Sequence, residues 1–461
     1  MQRLLAIAWL TWKAAFRFRL FLVIAALLLA AVAGLPMVIQ DDGTARGFTQ
    51  ILLTYTLSVI TGLLGLSTLW LACGTLARDI EECQMQVVAT KPIARWQIWL
   101  GKWLGIMSLN AALLALSGAC VYGLLQWRAA KLPAAEQTIL REQVLVARGS
   151  AKEPGTDAEI DAATERILQG RLKSSPVEKV DVPEVRKQIR EQVKADFQLV
   201  PPGYSRQWHI DLGFAKNFLK DKPLQLRVKF NSAQKSSSGA FVALWQVGVP
   251  ETSRLWRSEP MSLAPNTFHE FQIPPNLFDD RGVLTIIFVN PNDTSLLFPL
   301  EDGMEVLYPQ GGFALNFARG LGIIFCWMAL LAALGLMAAS FLTFPVAAFF
   351  SLALLTIGLS SGTLAEAVES GTVTAGNAET GVMGHSAADA VLIPLFKGFL
   401  VIINLVKNFS PIDSLSSGRS ISWTDLGLAF AQIVLLLGGI IGVIGIGLFN
   451  RRELATAQGN Q

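Results

Sequence analysis

The chain has 461 residues, 52% of them hydrophobic and only 16% charged, with a formal net charge of +3 and a mean hydropathy of +0.45. A water-soluble globular domain has no use for that much apolar surface. The charge excess is too small for the basic patch or stripe that nucleic acid requires, so no nucleic-acid partner is expected.

Residues 2–19 read as an amphipathic helix. Leu4, Leu5, Ala8, Trp9 and Trp12 are expected to face lipid, with Arg3, Lys13, Arg17 and Arg19 toward head groups. The basic start and the Ala-rich sequence up to Ala31-Val32-Ala33 imitate a signal peptide, but the apolar run continues to Ile39, so cleavage is not expected. A span takes about 20 apolar residues. The stretches that supply them are Leu20–Ile39, Ile51–Leu76, Trp103–Gln126, Gly320–Phe341, Pro345–Leu364 and Leu426–Phe449.

A seventh apolar stretch, Ala390–Val406, carries Pro394 and Lys397. A lysine at the bilayer midplane costs about 2.5–3.5 kcal/mol, so this stretch is expected to lie at or dip into the outer face without crossing. Basic residues collect before the first span, in residues 78–102 and after the last span (Arg451, Arg452), while Asp41 and Asp42 follow the first span. The positive-inside rule then puts both termini and the 78–102 loop in the cytoplasm and residues 128–312 outside. The expected fold is an α-helical membrane protein with six spanning helices plus an α+β extracytoplasmic insert. Its parts are an N-terminal membrane half (1–127), the insert (128–312) and a C-terminal membrane half (313–461).

The insert changes character midway. Residues 128–204 are charged and helix-prone, with breaks at Gly149–Gly155 and Ser174-Ser175-Pro176. Asp181-Val-Pro-Glu184 is a helix start, with Asp as cap and Pro early. Val185, Ile189, Val193 and Phe197 follow in one apolar stripe. Residues 205–312 turn to period two. Leu224, Leu226, Val228 and Phe230 alternate with Gln225, Arg227 and Lys229, the pattern of a half-buried strand. Phe241–Val247, Phe268–Ile273, Val283–Val289 and Met304–Tyr308 continue as short strands. Turns such as Asp280-Arg-Gly282 and Asn290-Pro-Asn-Asp293 separate them, which suggests an antiparallel β-sandwich. The cysteines Cys73, Cys83, Cys120 and Cys326 all lie outside the insert, which therefore stands on its own core without disulfides.

Residues 78–102 form a short charged interruption between two long apolar segments. Ile80, Val87, Val88, Ile93, Trp96, Ile98 and Trp99 give it an apolar side, and Lys91-Pro92 is the breaker between two short helices. Glu81-Glu82, Val87-Val88, Lys91-Pro92-Ile93-Ala94-Arg95, Ile98 and Leu100-Gly101-Lys102 resemble the cytoplasmic loop of ABC type-2 exporter permeases. The ending Phe449-Asn450-Arg451-Arg452-Glu453-Leu454, after a Gly-rich last span, is similar to that family's ending. The resemblance covers about 1–127 and 313–454 and leaves the insert uncovered. It implies the membrane subunit of an exporter in a bacterial cytoplasmic membrane, assembled with a separate ATP-binding cassette ATPase and a second permease, identical or not. Glu81, Glu82, Val87, Val88, Lys91, Pro92, Ile93, Arg95 and Lys102 are then the residues expected to couple to the ATPase.

Catalysis is not expected of this chain, and no cofactor is expected. Gly101-Lys102 is followed by Trp103, and the upstream glycine of a phosphate loop is Trp96. His209, His269 and His385 lack metal-ligand spacing, and Glu301-Asp302-Gly303 reads as an acidic turn. Trp208, Trp245 and Trp256 suit a sandwich core better than a sugar-stacking face. The six stretches hold polar Asn110 and Gln432 but no acid, base or histidine, so no ion-coupled relay is expected. Small residues at close-packing spacing recur at Ser58/Gly62, Gly335/Ala339 and Gly438/Gly442. A membrane-anchored scaffold, whose insert grips an extracytoplasmic protein or substrate while the spans hold it, is the alternative function.

Overall fold

A computed structural model describes residues 2–17, 20–38, 44–82, 93–174, 182–232, 234, 239–250, 252, 254–373 and 388–452. The chain divides into a first unit, Met1–Ala147 with Gly311–Gln461, and a second, Arg148–Gln310. The divide falls within about 20 residues of the expected insert boundary at its start and two at its end.

The N-terminal half of the first unit is helical. It comprises α1 (Gln2–Arg17), α2 (Leu20–Val38), α3 (Ala45–Glu81), α4 (Arg95–Ala129) and the short α5 (Ala134–Ile139), which continues as a π-helical turn over Leu140–Val144. At 1.5 Å per residue, the 37 residues of α3 and 35 of α4 reach about 50–55 Å, well beyond the ~30 Å of a hydrocarbon core. Their charged ends therefore stand beyond any apolar layer. Residues 78–81 and 95–102 belong to these long helices and form no separate short ones, since no proline interrupts either run. The expected junction at Lys91-Pro92, with Cys83, Val87 and Val88, lies outside the described residues.

In the second unit, β1 (Val146–Ala151) precedes α6 (Asp157–Ser174), α7 (Val182–Gln198) and β2 (Leu199–Val200). Ion pairs join Asp157 and Asp161 to Arg190, and Glu165 to Arg186. Partners descend in α7 as they ascend in α6, so the two helices run antiparallel. Ile189 and Val193 of the expected stripe are buried between them with Ile160 and Leu168. Asp181 lies outside the described residues.

The sheets follow with β3 (Ser205–Asp211), α8 (Lys216–Leu219), β4 (Leu224–Val228), β5 (Asn231–Ser232), β6 (Phe241–Gly248), β7 (Leu255–Arg257), β8 (Met261–Leu263), β9 (His269–Ile273), β10 (Val283–Val289), β11 (Leu296–Leu297) and β12 (Met304–Gly312). One sheet has the order β1-β12-β4-β9, a second β3-β10-β6-β7 with β8 also on β6, and a small third β2-β11-β5. Both larger sheets feed one apolar core in which Trp208, Trp245, Phe230, Phe288 and Phe298 are buried. The Trp245 and Phe288 rings lie 4.8 Å apart and those of Phe288 and Phe298 4.9 Å.

Two expectations for this unit are corrected. The stretch read as a helical region with a break at 149 contains strand β1. Its small and polar residues carry no strand signal, and pairing with β12 makes it one. A Cβ on Gly149 would sit 2.4 Å from the Tyr308 ring. Strand β4 is buried along its whole length, not on one face. Leu224, Leu226 and Val228 enter the core, and the other face is closed over by ions. Arg148 Nη1 donates to Glu270 Oε2 at 2.8 Å and to Gln225, Arg227 lies 3.6 Å from Glu270 and 3.9 Å from Glu305, and its guanidinium covers the Phe268 ring at 4.0 Å.

The first unit resumes with α9 (Phe313–Phe341), α10 (Phe344–Leu359), α11 (Ser361–Ser370), α12 (Asp389–Lys407), α13 (Pro411–Ser416) and α14 (Trp423–Ala429). A π-helical stretch Phe430–Gly438 then leads to α15 (Gly439–Arg451). Among the described residues, five helices are long and apolar enough to cross a membrane, and six if the pair α10 and α11, bent by 58°, counts as one. Asp389–Ser416, expected not to cross, has the length and hydropathy of a span, and the first expected stretch forms the apolar helix α2 over Leu20–Val38. The candidate span Pro345–Leu364 is broken at Ser360.

Close approach builds this unit. Gly335 of α9 lies on Ala72 of α3, where an added Cβ would meet the Ala72 Cβ at 2.7 Å. Gly101 and Gly105 of α4 likewise meet Ile7 and Thr11 of α1, both at 2.7 Å, and the Trp12 indole donates to Ser108 Oγ at 2.6 Å. Helix α1 therefore buries Ile7, Thr11 and Ala15 against α4 and leaves Leu5 and Trp9 exposed, whereas Trp12, expected on the same face as these, bonds to α4. Of the small-residue pairs read from sequence, Gly335 is a contact, a Cβ on Gly442 would lie 3.4 Å from the Trp99 ring, and one on Gly62 would meet nothing within 4 Å.

Candidate functional site

Six charged side chains gather where α3 ends and α4 begins. Helix termini explain the arrangement, because the first four N–H and last four C=O groups of a helix lack partners within it. Glu81, at the end of α3, accepts the Phe344 amide on Oε1 at 2.8 Å, placing a carboxylate at the N-terminus of α10. Arg95, the first residue of α4, donates from Nη1 to the carbonyls of Phe449, Asn450 and Arg452, each at 2.8 Å. Arg452 in turn donates to the carbonyls of Ala339 at 3.0 Å and Leu342 at 3.4 Å, at the end of α9. Acid sits at a helix start and bases at helix ends, the favourable sense for the helix dipole. Burial pushes the Arg452 guanidinium below its ordinary value, and the Glu81 carboxylate opposes that shift.

Lys102 fastens α3 to α4. It is 6% exposed, its aliphatic stem buried, and its Nζ donates to Thr75 O at 2.6 Å and Asp79 Oδ2 at 2.5 Å. The Arg78 guanidinium lies 4.3 Å from the centre of the Phe344 ring, which meets Trp70 edge-on at 5.1 Å. Trp99, one turn into α4, is buried against Gly442 and Gly445 of α15.

Of the residues expected to couple, Glu81, Arg95 and Lys102 converge here, and Ile93 packs partly buried on the bundle core. Glu82 caps α3. Val87, Val88, Lys91 and Pro92 lie outside the described residues. Glu81 and Arg95 bind the ends of other helices of this chain, and Lys102 binds Thr75 and Asp79 within α3. Asp79, Arg452 and Phe344 complete the site. Sequence reasoning missed Asp79, although its place one turn after Thr75 and its opposite charge to Lys102 were available signals.

The bundle interior holds no comparable cluster among the described residues. Asn110 donates to Thr68 Oγ1 at 2.9 Å, and Asn316 bridges the Arg419 carbonyl and the Ile421 amide at 2.8 and 2.7 Å. In the second unit His269 bonds locally to Thr267 and the Ala264 carbonyl, and Asp302 pairs with Lys229 at 2.7 Å. Among the described residues no group of three His, Cys, Asp or Glu is placed to hold a metal. Trp208 and Trp245 are core residues, and Trp256 packs on that core. Comparison with known protein families, with curated proteins and with solved structures finds no match.

Proposed function

We propose that this chain is the membrane-spanning permease subunit of an ATP-driven exporter, worked through residues 78–102 by a separate ATPase and paired with a second permease. The observation that carries the reading is the knot itself. A short charged segment joins two 35- to 37-residue helices, the charges flanking it are bonded to the ends of two more, and Arg452 at one of those ends holds the end of a third. A displacement that reaches Glu81 or Arg95 is shared with the helices they are bonded to. Arg78, Arg95, Lys102, Arg451 and Arg452 all stand at this end of the bundle, which by the positive-inside rule supports a cytoplasmic position. The termini then lie inside and the second unit outside, in a bacterial cytoplasmic membrane. Apolar contact by Val87, Val88 and Ile93 supplies affinity at roughly 25 cal/mol per Å² buried.

The test is copurification. Val88→Asp should weaken assembly with the ATPase, and full stoichiometry and activity in that variant would remove the loop as docking site. An impermeant thiol reagent should reach a cysteine placed at Ser237 and miss one at Gln458.

The second reading, a membrane-anchored scaffold, is favoured by one observation. The buried Asn110 and Asn316 use their hydrogen bonds on the chain itself, so these side chains line no polar lumen among the described residues. Tight binding of a partner by the full chain, with no ATPase present, would decide for it.

A further inference from the structure

We propose that Arg95 is a positioning residue that hands movement of the 78–102 segment to the last helix, α15, and through Arg452 to the end of α9. The inference rests on the permease reading above. It adds a route by which the segment acts on helices that it does not join.

Three observations carry it. One guanidinium nitrogen reaches three carbonyls of the last turn, Phe449, Asn450 and Arg452, which lie 354 to 357 residues away in sequence. The carbonyls at the end of α15 need donors from outside that helix, and Arg95 is the one that α4 presents. The contact then continues along α15. Phe449 is fully buried with its ring 5.8 Å from the Arg95 guanidinium, and Trp99 lies 3.1 Å from where a Cβ on Gly445 would stand and 3.4 Å from one on Gly442. The first turn of α4 thus grips α15 over more than two turns, without side-chain slack at the two glycines. Arg452 repeats the device one step on, holding the Ala339 and Leu342 carbonyls of α9. Energetic coupling runs through contiguous contacts of this kind.

The route makes a point of entry. Arg95 opens α4 within the 78–102 segment, so displacement passed along the chain from residues before it reaches Arg95 before it reaches the apolar part of α4. A cap that served stability alone could be loosened without uncoupling the helices. A relay could not.

The experiment uses the full chain in detergent with whatever ATPase copurifies, and compares wild type, Arg95→Gln and Arg452→Gln. Three quantities are read: ATPase stoichiometry, stimulated ATP hydrolysis, and amide hydrogen exchange of residues 446–452. Arg95→Gln should keep the stoichiometry and speed exchange of 446–452 about tenfold, the effect of one net hydrogen bond. Stimulated hydrolysis should fall about threefold or more, the size of a typical coupling loss. Should Arg95→Gln fail to fold, Arg452→Gln is expected to give the same loss of stimulation, with faster exchange at 336–342. Unchanged exchange overturns the clamp. Faster exchange with unchanged stimulation overturns the relay and leaves the permease reading standing. Loss of the ATPase from Arg95→Gln would make Arg95 a docking residue and overturn the relay. A wild-type chain that brings down no ATPase sinks the permease reading, and the relay with it, whatever the exchange shows.

Discussion

Both units of this protein bury large apolar side chains, but their elements make their closest approaches by different means. The core of the second is filled with rings, Trp208, Trp245, Phe230, Phe288 and Phe298, drawn from two sheets. The helices of the first meet at glycine and alanine, Gly335 on Ala72, Gly101 on Ile7 and Gly105 on Thr11. In water, burying large apolar side chains supplies the driving force, so bulk belongs inside. Between helices in an apolar layer that force is absent, and close backbone approach and polar fastening take over. The exposed faces agree. Phe349, Leu359, Val391 and Val443 are all at least 70% exposed on helices of the first unit.

The largest expected effect tests the ring-packed core. Trp245 is 1% exposed and touches four aromatic neighbours. Trp245→Ala should cost about 3–5 kcal/mol. Pulse proteolysis in urea on the full chain should show cleavage within 148–310 at lower urea while cleavage in the helical unit is unmoved. Equal loss in both would end the contrast.

The glycine contacts should give about 1–3 kcal/mol. Gly335→Ala puts a methyl 2.7 Å from the Ala72 Cβ with backbone close by, which overpacks the site. Gly62→Ala is its internal control, because nothing lies within 4 Å. That change should be neutral or stabilise by up to about 1 kcal/mol through helix propensity. Thermal melting in detergent checks both, and equal behaviour would show that helix approach matters less than proposed.

Polar fastening comes next. Lys102→Met keeps the stem and removes the charge, stranding Asp79 and the Thr75 carbonyl. The expected cost is about 1–3 kcal/mol, toward the lower end because the Asp79 side chain is 35% exposed. The same melt reads it. The smallest effect belongs to the solvent-exposed pairing of α6 with α7. Arg190→Ala should cost only about 0.2–1 kcal/mol, measured as a urea midpoint, and should shrink further in high salt.

Sequence alone determined much of this protein. The apolar stretches at 51–76, 103–126, 320–341 and 426–449 all became helices. The strands at 241–247 and 283–289 and the buried Ile189 and Val193 were legible too, because each signal repeats every two to four residues and depends on near neighbours. The same holds for the basic residues around 78–102. Tertiary structure alone decided what those signals could not carry. It chose Ile7, Thr11 and Ala15 as the docked face of α1, since only α4 brings Gly101 and Gly105 beneath them. It made a strand of Val146–Ala151 by supplying β12, and it bent the helix at Ser360. It also turned Glu81 and Arg95 from surface charges into helix caps, each by a partner more than 260 residues away. A cap needs an unpaired terminus at bonding distance, and which terminus arrives there depends on how the helices pack, not on the residues beside the charge.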